Sequence, residues 1–80
     1  KDLSMPYVVI ETDLIKIPEN FTKPNKSKLK SRIEYYNKNK CFEVPIIIDP
    51  NNVLLDGYTS YLIAKQYNLK TVQAKVKIGE

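Results

Sequence analysis

Five short stretches of the chain have the composition and patterning of β-strands. Residues 7–10 and 14–17 are rich in β-branched and other strand-favouring side chains. Residues 44–49 form a short β-branched run that is typical of a strand buried on both faces, and residues 53–55 follow it after a turn. Apolar and polar positions alternate over residues 72–78, which predicts a half-exposed strand.

Two further segments have helical patterning. Within residues 26–39, Leu29, Ile33 and Tyr36 are spaced at i, i+4 and i+7, so they form one apolar stripe on a helix. Residues 58–67 are apolar around most of the helical circumference, which favours burial by more than one neighbour. The predicted element order is β-β-α-β-β-α-β. It indicates a compact α+β domain with a small mixed β-sheet and two main helices.

The composition limits both the size of the protein and its chemistry. With 80 residues, 42% of them hydrophobic, the chain has the length of a single small domain, residues 1–80, with enough apolar material for a core. It has no His and one Cys, which argues against Ser-His-Asp hydrolases, zinc sites and disulfide-stapled domains; no catalytic or metal site is predicted. No apolar run approaches the roughly 20 residues of a membrane span. We therefore expect a cytoplasmic domain without membrane contact, excised from a longer protein.

The net charge of +4 is concentrated in one part of the chain. Residues 16–40 contain eight basic and two acidic side chains, which gives this segment a local charge of +6. Such a cluster suits the phosphates of DNA or of a nucleotide. The alternative is a lysine-rich, solvent-exposed helix without a ligand. The candidate DNA-facing residues are Lys26, Lys28, Lys30 and Arg32.

The segment around Asp56 and Gly57 carries the clearest chemical signal. A buried strand ends there and a helix begins at once, so the N–H groups of the first helical turn and the helix dipole favour an anion. Gly57 has no Cβ and would let a phosphate approach its backbone, while the hydroxyls of Thr59 and Ser60 would add donors. Two roles are open for Asp56. It either caps the helix by accepting from the N–H of Tyr58 or Thr59, or it faces a ligand as a base or Mg²⁺ ligand.

The loop of residues 18–24 is a second candidate region. It carries Glu19 and Lys23 and leads directly into the basic helix. Loops between rigid elements often hold functional groups, although exposed loop charges without a function are more common. Lys23 is a candidate for neutralising phosphate charge, and Glu19 is a possible functional carboxylate.

The order and spacing of these segments resemble the ParB N-terminal/sulfiredoxin-like family. The resemblance rests on the β-branched strand at residues 44–48, the Asp56-Gly57 turn that opens a helix, and the alternating strand at residues 72–76. It extends over nearly the whole chain. The family includes partition proteins that bind CTP and DNA, sulfiredoxins that use ATP, and an ADP-dependent serine kinase.

This resemblance implies a nucleoside-phosphate pocket at the turn. Asp56 and Gly57 match the turn of the family. Tyr58 and Thr59 take its variable or polar positions. Ser60 stands where the family usually has a phosphate-binding Arg, and a neutral hydroxyl is a weaker phosphate ligand than a bidentate guanidinium.

Two enzymatic branches of the family fit this sequence poorly. The catalytic Cys of the sulfiredoxins lies in the turn itself, so Cys41 cannot replace it. The kinase branch commonly uses a Glu in the loop before the first helix, a position that only Glu19 matches, and the histidines of its turn are absent.

Together, these features predict a ParB-like nucleotide- and/or DNA-binding domain with weak or no catalysis. It would belong to a plasmid, phage or chromosome-associated protein of the partition or transcription-regulator type. The implied ligand is a nucleoside di- or triphosphate with Mg²⁺; DNA is an implied partner, and a homodimer is compatible with the sequence. The alternatives are a phosphotransferase or hydrolase that uses Glu19 and Asp56, and a degenerate protein-interaction module. The predicted nucleotide- or phosphate-binding residues are Asp56, Gly57, Tyr58, Thr59, Ser60 and Lys23.

Overall fold

The computed structural model describes residues 6–78 and has the predicted α+β architecture. Both predicted helices are present, and four strands form one mixed sheet. In chain order the elements are β1 (Tyr7–Glu11), a 3₁₀ turn (Thr12–Leu14), α1 (Lys26–Asn39), β2 (Ile46–Ile48), β3 (Leu54–Asp56), α2 (Tyr58–Gln66) and β4 (Thr71–Val76). Within residues 6–78, no helix is long and apolar enough to cross a membrane.

The sheet has the strand order β1-β4-β2-β3. The first and last strands of the chain pair antiparallel, with Tyr7 opposite Lys75 and Glu11 opposite Thr71. β4 runs parallel to β2, and β2 pairs antiparallel with β3. Parallel pairing requires a long crossover connection, which β3 and α2 supply. This crossover brings the start of α2 to one end of the central strand β2.

The predicted strand over residues 14–17 is wrong in its extent. The chain first makes a 3₁₀ turn at Thr12–Leu14, and Lys16 then forms a single parallel bridge to Val53. At this bridge the Lys16 N–H donates to the Asn52 carbonyl at 2.8 Å, and the Lys16 carbonyl accepts from the Leu54 N–H at 2.8 Å. A longer parallel ladder would next need a donor at Pro18, which has no N–H.

The core lies between the sheet and α2. Its cluster of buried apolar side chains comes from β1, the segment after the 3₁₀ turn, β2, β3, α2 and β4. These residues are Ile10, Ile15, Ile46, Ile48, Leu54, Ala64, Val72 and Ala74. By contrast, no residue of α1 is fully buried. This helix packs on the rest of the domain through half-buried aromatic contacts, such as Tyr36 with Tyr67 at a ring-centroid distance of 5.6 Å.

Candidate functional site

The first turn of α2 has no side-chain cap. Gly57 is the N-cap residue, and no side chain within residues 6–78 caps this turn. The first backbone hydrogen bond of the helix runs from the Tyr61 N–H to the Gly57 carbonyl at 3.0 Å. The N–H groups of Tyr58, Thr59 and Ser60 therefore have no partner within the helix, and they lie at the positive end of its dipole.

The backbone conformation and the close packing at position 57 require a glycine. Its φ of 85° lies in the left-handed region, and a Cβ added there would collide with the carbonyl oxygen of Pro45 and lie 2.8 Å from Cα of Ile46. The space that a Cβ would fill is therefore occupied by the segment that leads into β2. The glycine fixes a close contact between the start of α2 and the start of β2.

The capping interpretation of Asp56 is wrong. Its Oδ1 accepts from the N–H of the adjacent Gly57 at 2.8 Å, one residue before the donors that a helix cap would satisfy. The carboxyl group is exposed and lies at the rim of a cavity. The other interpretation, that Asp56 faces a ligand, remains a prediction.

A cavity of about 360 Å³ opens at this helix terminus. It is bounded by the loop before α1, by one face of α1, by Val44 and by the start of α2. Phe21 and Tyr58 form part of its wall, with their ring centroids 5.3 Å apart. The lining residues are Phe21, Thr22, Pro24, Lys28, Arg32, Val44, Asp56, Gly57, Tyr58 and Thr59.

Two cations of α1 line this cavity. Lys28 and Arg32 are one helical turn apart, so their side chains lie on the same face of the helix. The Arg32 guanidinium is held by Glu43, whose Oε1 lies 2.9 Å from Nη1. Only 25% of the Arg32 side chain is exposed, which limits its conformational freedom. The cavity thus has a guanidinium contributed by α1, although the turn itself has none.

The four basic residues predicted to face DNA fall into two groups. Lys28 and Arg32 line the cavity, whereas Lys26 and Lys30 are exposed and do not line it. Asn25 begins α1 as a side-chain cap, because its Oδ1 accepts from the Lys28 N–H at 2.7 Å. This cap fixes the start of the helix beside the cavity.

The structure brings four of the six predicted phosphate-binding residues to the cavity: Asp56, Gly57, Tyr58 and Thr59. Ser60 is buried, and its hydroxyl donates to the Val44 carbonyl at 2.5 Å. This hydrogen bond connects α2 to Val44, two residues before β2 begins. Lys23 and Glu19 are exposed and are not part of the lining.

Sequence reasoning missed that Lys28 and Arg32 belong to the same site as Asp56. Their i, i+4 spacing was the available signal, because it places both on one helical face. Phe21 and Thr22 were also missed as wall residues of the cavity.

The lining fits a phosphate group better than a resident metal ion. Among residues 6–78 there is no cluster of three or more Asp, Glu, Cys or His side chains that could hold a metal. Asp56 is the single carboxylate in the lining of this cavity. One carboxylate suffices for a Mg²⁺ ion that arrives on phosphate oxygens, which is the usual way that Mg²⁺ binds with nucleotides.

Comparisons with known proteins place the fold. No family model matches the chain. It is 38% identical over 76 residues to the uncharacterized protein ORF326b of Acidianus two-tailed virus; the match covers 94% of this chain and 21% of that protein. The chain therefore spans about a fifth of the length of this curated relative.

Solved structures share the fold along almost the entire chain. A Pnob8-like ParB-N domain has a TM-score of 0.78 and 24% identity, and the match covers 100% of this chain and 32% of that one. ParB from Caulobacter crescentus, complexed with CTP-γ-S, has a TM-score of 0.72 and 13% identity, with coverages of 94% and 46%. Sulfiredoxin from Arabidopsis thaliana has a TM-score of 0.74 and 18% identity, with coverages of 92% and 86%. The chain has the ParB/sulfiredoxin-like fold.

Proposed function

We propose that this domain is a ParB-like module that binds the phosphate groups of a nucleotide in the cavity at the start of α2, without catalysing a reaction. One observation carries the proposal: the uncapped first turn of α2 and the cations Lys28 and Arg32 meet at the same cavity. A phosphate placed there would accept from backbone N–H groups and from two charged side chains at once.

The energetics favour an anion. A negative charge at a helix N-terminus is stabilised by about 0.3–1 kcal/mol. Each hydrogen bond to a charged group contributes about 1.5–3 kcal/mol. Arg32 is held by Glu43, so little further side-chain entropy is lost when its remaining N–H groups bind phosphate.

The kind of nucleotide follows from the fold and the wall of the cavity. ParB of Caulobacter crescentus has this fold and was crystallised with CTP-γ-S. The aromatic wall formed by Phe21 and Tyr58 would offer apolar surface to a sugar or base beside the phosphates. A nucleoside triphosphate with Mg²⁺ is therefore the ligand that we propose, with Asp56 beside the metal-bearing phosphates.

The enzymatic alternative receives less support. The phosphotransferase or hydrolase hypothesis pairs Glu19 with Asp56, and Glu19 does not line the cavity. A degenerate interaction module does not require cations at an uncapped helix terminus. A binding role accounts for both features.

Contact with DNA through α1 is a second proposed function. Lys26 and Lys30 are exposed one helical turn apart, outside the cavity, so a phosphate backbone could reach them while a nucleotide is bound. A mobility shift at low salt should then be lost in Lys26→Glu/Lys30→Glu. Retention of the shift in this variant would rule out this surface.

Calorimetric titration tests the nucleotide proposal. The chain is titrated with CTP, ATP, CDP and inorganic triphosphate, each with and without Mg²⁺. We expect binding of at least one nucleoside triphosphate, weakened roughly tenfold or more by Arg32→Gln, which is about 1.4 kcal/mol. Lys30→Gln on the same helix is the matched control and should leave the affinity unchanged. No binding of any phosphate compound, or equal losses in the two variants, would contradict the proposal.

A further inference from the structure

The outer edge of β1 is open. In the sheet order β1-β4-β2-β3, no strand within residues 6–78 lies beyond β1. The opposite side of the sheet differs, because β3 is bridged there by Lys16. An open edge presents unpaired backbone donors and acceptors that can template pairing with another strand.

The pairing with β4 determines which backbone groups of β1 point outward. The Val76 N–H donates to the Pro6 carbonyl at 3.0 Å, and the Thr12 N–H donates to the Lys70 carbonyl at 3.0 Å. The two pairs that flank β1, Pro6–Val76 and Thr12–Lys70, are therefore hydrogen-bonded pairs. Hydrogen-bonded and non-hydrogen-bonded pairs alternate along an antiparallel ladder. The N–H and C=O groups of Tyr7, Val9 and Glu11 therefore point away from β4, toward the open edge.

The side chains at this edge are unusually apolar for a solvent-facing strand. Val9 is 73% exposed and Tyr7 57% exposed, and the neighbouring Val8 is 37% exposed. Natural edge strands are commonly protected by a central charge, a bulge or a proline within the strand. β1 has no bulge or proline, and its one charged residue, Glu11, is at its last position.

We infer that β1 is a self-association edge, at which a second copy of this chain adds its own β1 in the antiparallel direction. With the two-fold axis at Val9, Val9 faces its counterpart and Tyr7 faces Glu11 of the second copy. This register uses every outward-pointing N–H and C=O group of residues 7, 9 and 11. The two four-stranded sheets become one continuous sheet.

Charge complementarity singles out a second copy as the occupant. Lys75 lies over the Tyr7 ring, with Nζ 5.3 Å from the ring centroid, on the same face as the exposed Glu11. In the proposed register the Glu11 carboxylate of one copy lies next to Tyr7 of the other, within reach of its Lys75. Because of the two-fold symmetry this row occurs twice, each time with Lys75 and Tyr7 from one copy and Glu11 from the other. Opposite charges across neighbouring strands stabilise a sheet, whereas like charges destabilise it.

Sedimentation equilibrium of the 80-residue chain from about 10 µM to 1 mM tests the association. We expect a concentration-dependent dimer that Val9→Lys weakens at least roughly tenfold, because two lysines would face each other at the axis. Leu55→Lys is the matched control, since Leu55 is also exposed but lies on β3. Circular dichroism melts check that each variant folds. A wild-type chain that stays monomeric at 1 mM, or equal losses in both variants, would overturn the inference.

A charge exchange tests the proposed row. Glu11→Lys and Lys75→Glu should each weaken the dimer, because each places like charges next to each other. The double variant Glu11→Lys/Lys75→Glu should restore the affinity of the wild type. Failure of this restoration in a folded double variant would exclude the proposed arrangement of charges.

Disulfide trapping tests the register in a Cys41→Ser background, which removes the native thiol. Cα atoms of a hydrogen-bonded antiparallel pair are about 5.5 Å apart, a distance that a disulfide spans. Val9→Cys should therefore form a covalent dimer under mild oxidation. Glu11→Cys alone should not, because its two thiols would lie about 13 Å apart along the strands. Mixed with Tyr7→Cys, it should form the heterodimer; trapping of Glu11→Cys with itself would contradict the register.

Discussion

The two helices of this domain begin in opposite ways. α1 starts at Asn25, whose side chain accepts from the Lys28 N–H at 2.7 Å. α2 starts at Gly57, which has no side chain to offer to the first turn. The Asn25 cap satisfies one donor of the first turn of α1. The first turn of α2 has no such cap and adjoins a cavity lined by cations. A helix start that lacks a cap and lies beside lysine and arginine is thus suited to bind an external anion.

The largest effect is expected when Gly57 is replaced. Gly57→Ala combines a left-handed φ with a Cβ that meets the Pro45 carbonyl, so we expect a loss of about 3 kcal/mol or more in the free energy of unfolding. Urea denaturation measures it. Asn52→Ala is the matched control, because Asn52 has a φ of 70°. It should cost only about 1 kcal/mol, and equal costs at the two positions would show that the contact with Pro45 is unimportant.

The next largest effect is expected on binding, when the two cations beside the uncapped terminus of α2 are replaced. Lys28→Met/Arg32→Met should reduce the affinity for CTP or inorganic triphosphate about a hundredfold, because two charge-assisted contacts are lost. Lys26→Met/Lys30→Met removes the same charge from the same helix outside the cavity and should change the affinity less than about twofold. The slope of log Kd against log salt concentration should fall in the first variant. Similar slopes and affinities in both would mean that only net charge attracts the ligand.

Loss of the cap on α1 should affect stability alone. Asn25→Ala removes the acceptor for the Lys28 N–H and should cost about 1 kcal/mol of unfolding free energy, with Asn25→Ser close to the wild type. Thermal or urea melts provide the measurement. Phosphate affinity should remain within about twofold of the wild type, because in the wild type the Lys28 N–H bonds the Asn25 side chain and is not available to a ligand. An affinity loss that exceeds the stability loss would contradict this division of roles between the two helix termini.

The smallest effect is expected at the other end of α2. Lys65 donates to Asp13 at 2.6 Å. This hydrogen bond, and then the charge of Lys65, lowers the pKa of Asp13 from 3.8. The same hydrogen bond, and then the charge of Asp13, raises the pKa of Lys65 from 10.5. Because the pKa of Asp13 is lowered by folding, its contribution to stability is present above pH 3.8 and is lost as the pH falls through the lower folded value. The contribution of Lys65 is present below pH 10.5 and is lost as the pH rises through its raised value.

An NMR titration of the Asp13 carboxyl checks this ion pair. In Lys65→Met the pKa of Asp13 should rise toward 3.8. The difference in stability between the wild type and Lys65→Met should be small at neutral pH, because both groups are exposed, and it should shrink in acid. An unchanged Asp13 pKa in the variant would exclude the pairing in solution.

The sequence predicted the helices and most of the strands because their signals are local. The stripe formed by Leu29, Ile33 and Tyr36 and the alternation in residues 72–78 each reflect the geometric period of a single element, so they are visible in a short stretch of sequence. The strand over residues 14–17 was predicted too long because its pairing is decided by a distant partner, Val53, and by the missing donor at Pro18.

The site was predictable in part for the same reason. The strand-Gly-helix turn is a local pattern, so Asp56 and Gly57 were identified from the sequence. The direction in which the Ser60 hydroxyl points depends on Val44, 16 residues away, and no local pattern records that contact. The arrival of Arg32 at the cavity depends in the same way on how α1 packs beside α2.

The antiparallel pairing of the first strand with the last has a consequence for synthesis of the protein. β1 pairs with β4 and with no other strand among residues 6–78. Thr71, the partner of Glu11, is therefore synthesised 60 residues after it. At about 5–20 residues per second, the ribosome needs roughly 3–12 s to make the intervening chain. During that interval Tyr7 and Val9 have no native partner strand. Chaperones that recognise short apolar segments would have time to bind β1, and a message truncated before residue 71 would leave this strand permanently unpaired.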